Sequence, residues 1–74
     1  MKESETQIIA NIIKRYEKHP YLEIAKCQKC GSIAYGVIPG ENSYIDYYGV
    51  DRRLHCSRCG GKLKTFVRIT RSAK

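Results

Sequence analysis

Ile8, Ile9, Ile12, Ile13 and Tyr16 recur at intervals that place side chains on one side of an α-helix. Asn11, Lys14, Arg15 and Lys18 fall on the other side. The pattern predicts an amphipathic helix over residues 4–18. Ser4 followed by Gln7 fits a capping box, and Glu5 suits the first turn. Lys14 and Lys18 lie near the C-terminal end, where the helix dipole favours cations. His19-Pro20 ends the run, because a residue before proline is driven out of the helical region. A short helix is marginal alone in water. Its isoleucine stripe must therefore be covered, either by the rest of the chain or by a second copy or partner.

From Tyr21 the pattern shortens. Residues 21–26 form a brief apolar-rich run that reads as a strand. Residues 32–38 alternate, with Ile33, Tyr35 and Val37 on one side. Pro39, Gly40, Glu41, Asn42 and Ser43 have the composition of a turn. Residues 44–54 carry Tyr44, Ile45, Tyr47, Tyr48 and Val50, broken by Gly49, and are expected to include a strand. Some of these tyrosines must fill the core, and the others are free to stack on a ligand. Residues 62–71 read as the last strand and residues 72–74 as a frayed tail. In that last strand Leu63, Thr65, Val67 and Ile69 suit the core. Lys62, Lys64, Phe66, Arg68 and Thr70 alternate with them and are expected on one solvent face. Phe66 has a second reading, in which the strand bulges and buries it.

The cysteines change the picture most. A 74-residue chain buries little apolar surface, and domains of this size commonly need a staple. Cys27-Gln28-Lys29-Cys30-Gly31 and Cys56-Ser57-Arg58-Cys59-Gly60 repeat one element, with 25 residues between Cys30 and Cys56. Two residues between cysteines let the chain turn tightly enough for both sulfurs to reach one ion. The glycine after each pair permits a positive φ. Four thiolates from Cys27, Cys30, Cys56 and Cys59 fill a tetrahedral Zn²⁺ shell, leaving no open position for chemistry. One structural zinc ion is the expectation; iron in the same thiolates, disulfides and a thiol redox role are the alternatives. His55 beside Cys56 would be a fifth candidate for four places and is expected at the surface or behind the ligands. His19 is expected to cap the helix or face solvent.

These two C-x-x-C-G units, flanked by short strands over roughly residues 21–70, resemble the zinc-ribbon family. The resemblance implies a three-stranded antiparallel sheet with two zinc knuckles at one end. The expected fold is thus a small metal-stabilised α+β domain: an N-terminal helix in residues 1–20 and a zinc ribbon in residues 21–71. Zinc ribbons occur in RNA-polymerase subunits, transcription factors, ribosomal proteins and small phage regulators, and as docking modules. Some transcript-cleavage ribbons use an acidic pair, but this chain has no adjacent Asp/Glu pair, so that activity is not implied. The related rubredoxins carry iron. This chain has Ser57 where they commonly have proline, and it is basic where they are usually acidic.

Charge then points to a partner. The net charge is +7, and residues 52–74 hold eight cations and no acid. Residues 1–51 hold six Lys/Arg against seven Asp/Glu. Such asymmetry fits a nucleic acid or an acidic protein surface; a merely solvated face is the plainer reading. The candidate contact residues are Arg52, Arg53, Arg58, Lys62, Lys64, Phe66 and Arg68. No acid–base pair, nucleophile constellation or phosphate-cradling loop is visible, so a non-enzymatic regulator is expected. With no secretory signal and no membrane span in the sequence, the expected location is the cytoplasm.

Overall fold

A computed structural model describes residues 4–40 and 43–71. The expected frayed tail, 72–74, and the middle of the turn at 41–42 lie outside the described residues. The helix α1 spans Glu5–Arg15. Ser4 caps it, its Oγ accepting from the Gln7 amide at 3.1 Å. The box is only half made, because the Gln7 side chain donates to Asn11 Oδ1 instead. The helix stops three residues short of the predicted 18. The last α-type bond runs from the Tyr16 amide to the Ile12 carbonyl, and the chain then tightens, with the His19 amide donating to the Tyr16 carbonyl. Pro20 leaves His19 no helical alternative.

Four strands follow: β1 (Tyr21–Cys27), β2 (Ile33–Ile38), β3 (Asp46–Tyr48) and β4 (Leu63–Thr70). They form one antiparallel sheet in the order β3-β2-β1-β4. The sheet therefore has four strands rather than the three expected. The extra strand is β3, which pairs Tyr48 with Tyr35, Tyr47 with Gly36 and Asp46 with Val37. Aromatic packing explains it. The Tyr48 ring stacks on Tyr35 with centroids 5.1 Å apart. The Tyr47 ring lies so close over Gly36 that a Cβ there would meet it at 2.9 Å.

Leu22, Ile24 and Val37 make the fully buried core. Ile9, Ile12, Ile13 and Tyr16 of α1 pack against them, as do Ile33, Tyr35, Val67 and Ile69. The helix thus covers one face of the sheet. Arg71 holds its end in place: Nη1 donates to the Tyr16 carbonyl at 3.1 Å and to the His19 carbonyl at 2.8 Å. A cation on the last carbonyls is the arrangement that helix ends favour. Arg71 is thereby spent on architecture rather than on a binding surface. His19 is half-buried, its ring edge-on to Tyr16. On the opposite, open face, Ala25, Ala34, Gly36, Leu63 and Thr65 surround a hollow of about 160 Å³. Glu23 lies at this hollow, accepting from the Tyr21 hydroxyl at 3.1 Å and the Thr65 hydroxyl at 3.3 Å.

The pairing of β1 with β4 contains the feature that sequence alternation cannot show. Ile24 pairs with Val67, but Ala25 pairs with Thr65, so Phe66 is an extra residue in a β-bulge. Neighbouring residues of β1 face opposite ways. Val67 and Ile69 therefore face the helix, while Leu63 and Thr65 face the open side. The solvent-exposed set divides too: Lys64 pairs with Lys26, whereas Arg68 pairs with Glu23. Lys64 and Arg68 lie on opposite faces, and the single basic face expected from alternation is not formed. The bulge does not bury Phe66, which stays 45% exposed. Among the described residues no helix is long and apolar enough to cross a membrane.

Candidate metal centre

β1 runs directly into the first cysteine pair. Cys27 is its last residue, and the Gly31 amide returns to the Cys27 carbonyl at 3.1 Å to close the turn. The second pair repeats this with the Gly60 amide on the Cys56 carbonyl at 2.8 Å. Gly31 and Gly60 have φ of +79° and +77°, the left-handed conformation for which glycine was expected at both places. The first turn is tied to the residue following the second through the Gln28 amide, which donates to the Lys62 carbonyl, and the second turn is closed further by the Cys56 amide donating to the Gly61 carbonyl.

This construction brings all four sulfurs within 4.8 Å of one another. Cys27 and Cys59 sulfurs are 3.5 Å apart, as are those of Cys30 and Cys56. A metal–sulfur bond of about 2.3 Å in tetrahedral geometry requires sulfurs about 3.8 Å apart. The four positions fit one tetrahedral ion. Backbone amides also converge on the sulfurs, as thiolates need: Lys29 and Cys30 donate to Cys27, Arg58 to Cys56, and Gly61 to Cys59. Cys27 and Cys56 are buried while Cys30 and Cys59 are exposed, so the centre sits at the rim of the sheet.

The acidities fit a cation site. The Cys30 amide, aided by that of Lys29, holds the Cys27 thiol below its ordinary value. The Ser32 hydroxyl lowers Cys30 to about 6. Cys59 goes the other way. The Gly61 amide lowers it, but the neighbouring cysteines, Cys27 foremost, together with burial outweigh this and push it up to about 12. Four thiolates crowded together cannot all ionise without a cation between them. Metal loading at neutral pH therefore releases the protons that remain on the cysteines.

Gly61 is a close-approach glycine. A Cβ there would lie 2.8 Å from Lys29 Cβ, 3.0 Å from Cys27 Sγ and 3.3 Å from Cys59 Sγ. Replacing it forces the two turns apart, because the first of these neighbours is near the backbone and cannot swing away. We expect Gly61→Ala to weaken metal affinity by roughly 10–100-fold, the range seen when the groups behind metal ligands are disturbed. A competition titration against a chromophoric chelator measures it, and an unchanged affinity would contradict the packing described.

His55 is outside the cysteine cluster. Its backbone pairs with Asp51: its amide donates to Asp51 Oδ1 at 3.0 Å and its carbonyl accepts the Asp51 amide. Asp51 Oδ1 also accepts from the Arg53 amide at 2.9 Å, and the His55 amide foremost keeps the Asp51 carboxyl below its usual range. This local loop forces Leu54 to a φ of +61° and leads the chain into Cys56. Arg52, Arg53, Arg58 and Lys62 are exposed around the second turn. Lys26, which sequence reasoning passed over, stands opposite Lys64 across the strand pair. An unbroken β1 reading into Cys27 was the available signal, but only the register says which residue faces which.

Comparison of the chain with protein-family models, with curated proteins and with solved structures returned no match. The four-cysteine cluster is compatible with a zinc-ribbon-like site and defines the protein as a candidate metal-binding module.

Proposed function

We propose that this chain is a non-enzymatic zinc-ribbon regulator that binds nucleic acid, with one structural zinc ion held by Cys27, Cys30, Cys56 and Cys59. The supporting observation is the cationic surface around the second cysteine turn. Arg52, Arg53, Arg58 and Lys62 are exposed there, Lys64 is exposed on β4, and none of them is ion-paired among the described residues. Zinc is favoured over iron by Ser57, where the iron-carrying rubredoxins commonly have proline, and by the basic character of the chain. Metal analysis and the colour of the purified protein separate the two. The cytoplasm, as a regulator of transcription, is the setting this reading implies.

Binding through lysines and arginines displaces counterions, so affinity falls steeply with salt. For three or four phosphate contacts to a single strand, the loss from 50 to 200 mM salt is roughly tenfold or more. Fluorescence anisotropy of labelled oligonucleotides, single-stranded and duplex, measures this. No binding of DNA or RNA at low salt would sink the proposal.

A second reading has its own observation. Tyr47 and Leu54, 38% and 50% exposed, lie together at the hollow on the open face, and exposed tyrosines are enriched at protein interfaces. In this reading the module docks on an acidic surface of a larger machine such as a polymerase or nuclease, or inhibits it. A stoichiometric complex that survives nuclease treatment distinguishes it from the first.

A further inference from the structure

The bulge in β4 places Phe66 beside two lysines that face each other. Lys26 on β1 and Lys64 on β4 are direct cross-strand partners. Like charges in that position are destabilising unless an anion lies near. Lys26 has such an anion: Glu5, from the first turn of α1, sits 2.6 Å from its Nζ, and both side chains are about half exposed. Among the described residues no carboxylate pairs with Lys64. Together with Cys27 and Gln28, these groups line a concavity of about 370 Å³ at the edge of the sheet. That volume is at the low end of the roughly 300–1,000 Å³ of small-molecule sites. It has room for one planar group, and one wall is an exposed aromatic ring.

We propose that this concavity holds one nucleotide of a single-stranded nucleic acid, with the base stacked on Phe66 and its phosphate between Lys26 and Lys64. The proposal rests on the nucleic-acid reading above and narrows it. A base reaches a half-exposed ring only if it is splayed from its neighbours, which single strands permit and a duplex does not. The phosphate supplies the anion that Lys64 lacks. Glu5 occupies part of the same place, so the carboxylate of α1 competes with the incoming phosphate for Lys26. The helix start thereby sets the affinity of a site on the sheet.

The test uses the metal-loaded full chain and a labelled 12-nucleotide oligonucleotide, as a single strand and as its duplex, at low salt. Binding is compared for Phe66→Ala, Phe66→Tyr, Lys64→Gln and Glu5→Gln. The single strand is expected to bind more tightly than the duplex. Phe66→Ala should weaken it about tenfold, at the lower part of the range for one stacked base, with the salt dependence unchanged. Phe66→Tyr, which keeps the ring, should bind as the unaltered chain does. Lys64→Gln should reduce the salt slope by about 0.7, and Glu5→Gln should tighten binding. Equal binding of duplex, or indifference to Phe66→Ala, overturns the inference and leaves the broader nucleic-acid reading standing. Absence of any oligonucleotide binding overturns both. A polyglutamate peptide that binds in a Phe66-dependent way, when oligonucleotides do not, would reassign the concavity to an acidic protein segment.

Discussion

Stripping the metal with a strong chelator is expected to unfold the sheet, read as loss of the β signal in the far-ultraviolet spectrum. The size of the core decides this. Among the described residues only Leu22, Ile24 and Val37 are large aliphatic side chains buried to 2% exposure or less, and two of the other buried residues, Cys27 and Cys56, belong to the candidate metal site. A structural zinc site contributes roughly 10–16 kcal/mol of apparent free energy at neutral pH. Whole domains are stable by about 5–15 kcal/mol. The metal term is thus as large as any net stability the chain has. Without the ion, the thiolates near one another repel or take up protons, and the two cysteine turns lose the reason to stay together. A spectrum unchanged by chelation would show that the sheet and helix suffice.

The second large effect is expected from Ile24→Ala. Ile24 is fully buried, pairs with Tyr35 on β2 and with Val67 on β4, and stands immediately before the bulge. Truncating a buried isoleucine costs about 2–5 kcal/mol, more where the surroundings cannot collapse. The neighbours here are held by the sheet on both sides and by α1 above, so little collapse is available. Chemical denaturation of the metal-loaded protein should show the loss as a lowered midpoint. The cysteine turns lie at the far end of β1, and the metal should still bind. An unfolding free energy within about 0.5 kcal/mol of the unaltered protein's, the usual range for a surface change, would contradict the placement of Ile24.

What the sequence discloses here depends on how local the signal is. The cysteine cluster was legible because each pair is a tight turn of five residues, with its glycine, and needs no long-range information. The helix was legible because Ile9, Ile12, Ile13 and Tyr16 keep one period. β1 was legible as a short apolar-rich run and β2 from alternation, each to within a residue at its ends. β3 was not separable from the tyrosine-rich run, since it is a three-residue strand held by Tyr48 on Tyr35 and Tyr47 over Gly36. The bulge at Phe66 was illegible for a subtler reason. Exposure along β4 alternates without a break, residue by residue, through the bulge itself. The regular pattern conceals a change of face, and with it the separation of Lys64 from Arg68 and the meeting of Lys64 with Lys26. Arg71 was hidden in the same way: as a charge it resembled its basic neighbours, and only its reach to two carbonyls distinguishes it.

That reach bears on how the molecule is held together. The helix precedes every strand of the sheet in the chain, yet the guanidinium that seals its end lies 55 residues downstream of Tyr16. Both cysteine pairs also precede Arg71 in the chain. Chain order and locking order therefore run in opposite directions: a segment that precedes the whole sheet is fastened by the residue that directly follows its last strand.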